Sequence, residues 1–252
     1  MSGRIAPTPS GYLHLGNAIN FAANALLAGR EGVGLLLRID DLDRQRVRPE
    51  YLEDVFETLH WLGIRWTTGP TDVADFLTNW SQEHRMELYA AALDQLRTRV
   101  FACPCSRKEL ANGRHAYDCP SAGISLDRPG VAWRIDTRGM KLHERMPDFA
   151  VRKKDGRPSY QLACTVDDLH FGVTHCVRGE DLRDSTVAQS LLSDLLGYQS
   201  LYERMTVLHH PLLEVNGQKM SKSQGAPTVR ESGWEPVRIF REAGRWLVRA
   251  TP

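Results

Sequence analysis

The chain has no charge imbalance: 32 Lys and Arg stand against 31 Asp and Glu, a formal charge of +1 over 252 residues. Global electrostatics therefore neither selects nor excludes a polyanionic partner, because a local basic face vanishes in that sum. No run of about 18 apolar residues exists, so no transmembrane helix and no membrane partner are expected. The opening Met1-Ser2-Gly3-Arg4-Ile5-Ala6-Pro7 lacks the apolar core of a secretory signal, so a cytoplasmic location is expected. There is no internal repeat and no low-complexity segment. The five cysteines are odd in number and do not read as a disulfide framework. Three fall together at 103, 105 and 119, which points to a metal site. Cys164 and Cys176 lie among apolar residues and read as core thiols.

What is present is ordinary for a globular protein: 42% hydrophobic and 25% charged residues. The length suits one large domain, or one domain with a sizeable insertion. Residues 3–7 are an extended start, followed by a stiff loop at Pro7 and Pro9. Ile19, Ala22, Ala23, Leu26 and Leu27 have helical spacing and predict a helix from about Gly16 to Arg30. Leu35 to Ile39 reads as a buried strand. Residues 50–62 are predicted helical, with Pro49 at the start and Gly63 at the end. A long helix is expected from Gln82 to Arg99. Between 100 and 147 cysteines, prolines and glycines replace helical periodicity, as in an insertion. Strands are expected at 149–151 and 173–177, and a helix at 184–196 closed by Gly197. Asn216-Gly217 is a hairpin-turn signal. Strands alternating with helices imply an α/β fold with a parallel sheet.

Two short elements carry phosphate chemistry. His14-Leu15-Gly16-Asn17 stands where the first helix begins, and a helix start offers backbone N–H groups and a positive dipole end to a phosphate. Lys219-Met220-Ser221-Lys222-Ser223 puts two lysines on one short loop, suited to charge developing on a transferring nucleotidyl group. Each alone is also what a cap and a solvated basic loop look like.

Taken together, some 200 residues apart, the two elements resemble the HIGH and KMSKS signatures of class I aminoacyl-tRNA synthetases. The stretch Arg4 to Gly16 resembles the opening of the glutamyl branch. Leu37-Arg38-Ile39-Asp40-Asp41-Leu42-Asp43 resembles its R-I-E-D-T-D element, and Trp61-Leu62-Gly63-Ile64 comes after it. Asp155 to Ala163, Val166-Asp167-Asp168 and Gly172 to Asp181 fit the second half. The resemblance covers about residues 1–226 and implies a Rossmann-type class I core with an inserted zinc-binding, acceptor-binding-like subdomain. The expected division is 1–99 and 148–226 for the catalytic halves, 100–147 for the insertion and 227–252 for a short helical segment, with no anticodon-binding domain. A core of this size resembles the glutamyl-queuosine tRNA(Asp) synthetase family, whose members load glutamate onto the queuosine base of the anticodon.

That resemblance implies the rest. Cys103-Pro104-Cys105, Tyr117 and Cys119 are similar to the family's C-x-C-x11-Y-x3-C zinc site, implying one Zn²⁺ per chain. One residue separates Tyr117 from Cys119 where the family has three, so His115 stands as an alternative fourth ligand. Arg4 and Arg178 are the implied carboxylate partners of glutamate, with Thr8 and Tyr160 beside them. Asp40 replaces the family's Glu facing the α-amino group. ATP, with Mg²⁺, is expected against His14, Gly16, Asn17, Asp181 and Lys222, and catalysis from His14, Lys219 and Lys222. Expected partners are ATP, L-glutamate and queuosine-containing tRNA(Asp), and the expected state is a monomer. Three alternatives stay open: charging of a tRNA 3′ end, ligation to a small molecule or carrier protein, or a non-catalytic paralogue.

Overall fold

The computed structural model describes residues 1–106, 108–110, 115, 118–198, 201–212, 214–215, 218–219 and 228–250. The chain divides into two compact units, one of residues 1–84, 171–182 and 205–252, the other of 85–170 and 183–204.

The first unit is built on a four-stranded parallel sheet in the order β2-β1-β6-β7, with β1 Ser2–Ile5, β2 Gly34–Leu37, β6 Val173–Gly179 and β7 Thr206–His210. Helix α1 (Leu15–Arg30) joins β1 to β2. Its buried stripe, Ala18, Ile19, Ala22, Ala23 and Leu27, has the 3.6-residue period of a helix laid on a sheet. The apolar run of β2 is buried, as expected of a covered parallel strand. Helix α2 (Pro49–Trp61) comes next with Pro at its start, and Gly63 adopts φ 70° just after its end. A short α3 (Val73–Asp75) lies beyond it in the chain. The two-residue strands β8 (Glu214–Val215) and β9 (Gln218–Lys219) pair antiparallel on either side of Asn216-Gly217, which itself lies outside the described residues. Helix α8 (Pro236–Ala250) buries Ile239, Ala243, Trp246 and Leu247 and packs on α1 and β7.

The second unit has a three-stranded antiparallel sheet of β3 (Val100–Cys103), β4 (Ala132–Ile135) and β5 (Ala150–Arg152). Helices α4 (Met86–Gln95), α5 (Tyr160–His170), α6 (Arg183–Leu195) and α7 (Leu201–Arg204) accompany it. A buried ion pair sits among them: Arg85 donates to both carboxylate oxygens of Asp167, at 2.8 and 3.2 Å, and the Tyr89 hydroxyl donates to the same group. Burial first, then the Asp167 charge, pushes the Tyr89 phenol far above its ordinary range.

The single helix expected over 82–99 is shorter in the structure. Residues 82–85 form a 3-10 turn and the α-helix runs only from Met86 to Gln95. The cause is Asp41 in the first unit, fully buried, which accepts from the Ser81 hydroxyl and the Gln82 N–H and so holds the chain before the helix begins. Among the described residues no helix is long and apolar enough to cross a membrane.

Candidate functional site

In an open parallel sheet, ligands bind beyond the carboxyl ends of the strands where the strand order reverses direction. Here that point lies between β1 and β6, because β1 continues to β2 on one side and meets β6 on the other. The predicted residues of the first unit gather around it. Arg4 is on β1, Thr8 on the loop leaving it, Asp40 on the loop leaving β2, Arg178 near the end of β6 and Asp181 just beyond. The loops after β1 and β2 are stitched together by Arg38 N–H to Ile5 C=O and Asp40 N–H to Pro7 C=O, both 2.9 Å.

Both guanidinium residues are buried: Arg4 is 6% exposed and Arg178 3%. Burial strips a cation of water, so an anionic partner there is worth far more than at a surface. The backbone before Arg178 is held by an amide clip. Asn24 of α1 accepts from Val177 N–H at 2.8 Å and donates to Val177 C=O at 3.0 Å, and Asn20 donates to the same carbonyl. Gly179 leaves room for the Asp181 carboxylate: a Cβ at this position would stand 2.5 Å from Asp181 Oδ1.

Asp40 has a partner that the sequence did not advertise. Arg38 grips it in a two-pronged pair, Nε to Oδ1 at 2.7 Å and Nη2 to Oδ2 at 3.0 Å, with both residues buried. On an extended chain residues i and i+2 share a face, which is the signal that could have found it.

His14 precedes the first residue of α1 in extended conformation, as a cap position requires. Its N–H donates to Asn17 Oδ1 at 3.1 Å, so the variant last residue of the motif closes the helix start. The loop just ahead is braced from two sides. Leu13 N–H donates to Asp54 Oδ2 at 2.7 Å, and Leu13 C=O accepts from Val229 N–H at 3.0 Å. Asp54, only 1% exposed, also receives Arg230 Nη2 on its other oxygen at 3.1 Å, and Arg230 meets Glu57 at 2.6 Å. Val229 and Arg230 begin the segment at Val229–Glu231, so one buried carboxylate on α2 joins that segment to the loop before His14. Asn24, Arg38, Asp54 and Arg230 were all missed, because their partners are mostly distant in sequence. Lys219 ends β9; Lys222 and the rest of 220–227 lie outside the described residues.

The second unit holds Tyr160, the first residue of α5, 43% exposed. It also holds the cysteine cluster. Cys103, Cys105, His115 and Cys119 place their ligand atoms within 4.8 Å of one another. Cys103 Sγ is 3.3 Å from His115 Nδ1, and Cys105 Sγ is 3.5 Å from Cys119 Sγ. A tetrahedral Zn–S bond of about 2.3 Å sets ligand–ligand edges near 3.8 Å, so the four groups fit one metal ion. Burial first, then the neighbouring thiols, pushes Cys119 up to about 12. Crowded thiols of this kind suit a cation that favours their ionised form. Tyr117 lies outside the described residues. The far side of the imidazole is anchored: His115 Nε2 is 3.1 Å from Asp148 Oδ2. Asp148 takes φ 43°, a left-handed conformation uncommon for a residue with a side chain. Its other oxygen accepts from Thr137 N–H at 2.9 Å.

Comparison with known proteins agrees with this geometry. The family of class I tRNA synthetases for E and Q, catalytic domain, matches residues 1–130 and 129–246. The fold is close to that of a glutamate-tRNA synthetase from Elizabethkingia anophelis, with TM-score 0.75 and 22% identity, over 94% of this chain and 59% of that one. The chain is thus a class I synthetase catalytic core, an ATP-using ligase type. Within that class, a glutamyl-Q tRNA(Asp) synthetase from Parasynechococcus marenigrum is 38% identical over 92% of this chain and 78% of its own length. Another, from Verminephrobacter eiseniae, is 35% identical over 98% and 89%. The chain belongs to the glutamyl-Q tRNA(Asp) synthetase family.

Proposed function

We propose that the chain activates L-glutamate with ATP, without tRNA, and transfers the glutamyl group to the queuosine base in the anticodon of tRNA(Asp). The observation that carries this reading is the pair of buried arginines, Arg4 and Arg178, at the carboxyl ends of β1 and β6, in a chain whose relatives bear that name. Two fixed guanidinium groups suit a dicarboxylic amino acid. Asp40, held in place by Arg38, is the counter-charge for the α-ammonium.

In the first step an oxygen of the glutamate α-carboxylate attacks the α-phosphorus of ATP. The bond to the β-phosphate oxygen breaks and pyrophosphate leaves. His14 and the start of α1 receive the phosphates, with Gly16, Asn17 and Asp181 contacting the nucleotide, and Lys219 and Lys222 neutralise charge that grows on the leaving group. Mg²⁺ would enter with ATP and supply further positive charge for the phosphates. In the second step a hydroxyl of the queuosine cyclopentenediol attacks the acyl carbon, an ester forms and AMP leaves as the hydroxyl proton is released. The protein's part is to position and neutralise. Thr8 and Tyr160 complete the glutamate contacts. Cys103, Cys105 and Cys119 with His115 would hold one Zn²⁺, which orders the region around β3. The protein acts as a monomer.

The test is aminoacylation of queuosine-containing tRNA(Asp), queuosine-free tRNA(Asp) and tRNA(Glu), with pyrophosphate exchange measured in the absence of tRNA. Transfer to the first alone is expected. Charging of tRNA(Glu) at its 3′ end, or exchange that requires tRNA, refutes the reading.

A further inference from the structure

Helix α8 is two-faced. Ile239, Ala243, Trp246 and Leu247 are buried, while Arg238, Arg241, Arg245 and Arg249 are all exposed. These arginines recur at steps of 3, 4 and 4, so at 100° per residue they share one stripe roughly 80° wide and about 16 Å long. In a chain of net charge +1, this is a strong local concentration of one sign.

A merely solvated helix face mixes charges, with opposite signs three and four residues apart. On α8 only Glu242 stands beside the stripe, pairing with Arg245 at 3.1 Å. Arg241 and Arg245, and Arg245 and Arg249, are like charges four apart, an arrangement that weakens a helix. All four are arginine, whose planar fork matches phosphate oxygens. At the N-terminal end of the stripe, Arg238 stacks on Trp234 with 3.8 Å from guanidinium carbon to ring centroid. That contact holds the guanidinium plane in place.

We infer that the exposed arginine stripe of α8 is a docking surface for the phosphate backbone of the RNA substrate. The inference rests on the transfer reading above and adds where the RNA is held. Contacts of this kind carry no base specificity, so the stripe would supply affinity and register while the nucleoside is read elsewhere.

The experiment measures binding of queuosine-containing tRNA(Asp) across roughly 50–200 mM salt, with wild-type protein and the double variant Arg241→Gln/Arg245→Gln. The variant should bind more weakly, and its slope of log affinity against log salt should be shallower by about two units, one for each phosphate that no longer meets an arginine. Glutamate-dependent pyrophosphate exchange without tRNA should be unchanged. Arg65→Gln, an exposed arginine off the stripe, should leave the slope unaltered. An unchanged slope in the double variant overturns the inference while leaving the transfer reading intact. Retention on phosphatidylserine vesicles that the double variant loses, with tRNA binding unaffected, also overturns it. Wild-type protein that binds no tRNA removes the transfer reading and the docking surface together.

Discussion

Asp54 is the residue on which the loop before His14 and the segment at Val229–Glu231 both depend. Replacing it with alanine leaves the Leu13 N–H, now bonded at 2.7 Å in a buried setting, without an acceptor, at about 1–3 kcal/mol. The Arg230 contact adds less than about 1 kcal/mol, because that side chain is 36% exposed and keeps Glu57. The sum, about 1–4 kcal/mol, is survivable for a protein of ordinary stability and lowers the melting temperature by roughly 2–16 °C. Asp54→Asn keeps a neutral acceptor for Leu13 and should lose only a fraction of this. Leu13 directly precedes His14, so the functional loss should concentrate on ATP. In glutamate-dependent pyrophosphate exchange at a temperature where the variant is folded, Asp54→Ala should reduce kcat/KM for ATP by an order of 10–100-fold, the scale of a small misplacement of reacting groups. The glutamate KM should move little. An unchanged melting temperature, or a rise in KM for glutamate in place of ATP, refutes the bracing argument.

Three further outcomes are expected. Zinc content should be about one per chain and should fall in His115→Ala but not in Tyr117→Phe; metal analysis showing the reverse assigns the fourth ligand to Tyr117. Glutamine should be activated about 10–10²-fold less well than glutamate, since a neutral amide loses the charge-assisted bond that a carboxylate makes to a guanidinium, at about 1.5–3 kcal/mol, and Arg178→Gln should erase that preference; equal use of the two amino acids by wild-type protein removes the arginine pair from the pocket. Burial holds the His210 pKa below its ordinary 6.5, with the ring stacked 4.0 Å from Trp246. The folded state therefore resists the proton that the unfolded chain accepts, so stability is full above 6.5 and declines as pH falls. Chemical denaturation of His210→Gln should show a weaker decline on that acid side than wild type.

Local signals and distant partners differ in what the amino-acid order reveals of them. The helix after His14, the buried strand at Leu35 and the helix at Pro49 were legible because periodicity and end signals act within a few residues. The helix from Gln82 was not, because its first turn belongs to Asp41, forty-one residues earlier in the chain. Asp40 was legible as a charge at the site but not as half of an ion pair with Arg38. The cysteines were legible as a cluster with His115 as the alternative to Tyr117, but the 3.3 Å approach of its imidazole to Cys103 was not.

By itself the sequence determined which residues could serve the proposed chemistry: the elements at His14 and Lys219 and the three grouped thiols through residue type and spacing, and the two arginines through the resemblance. The tertiary structure alone decided what holds them. Asn24 reaches Val177 across 153 residues and Asp54 reaches Arg230 across 176. Such partners leave no periodic trace, since a hydrogen bond requires only that two groups meet in space, and the folded sheet determines where they meet.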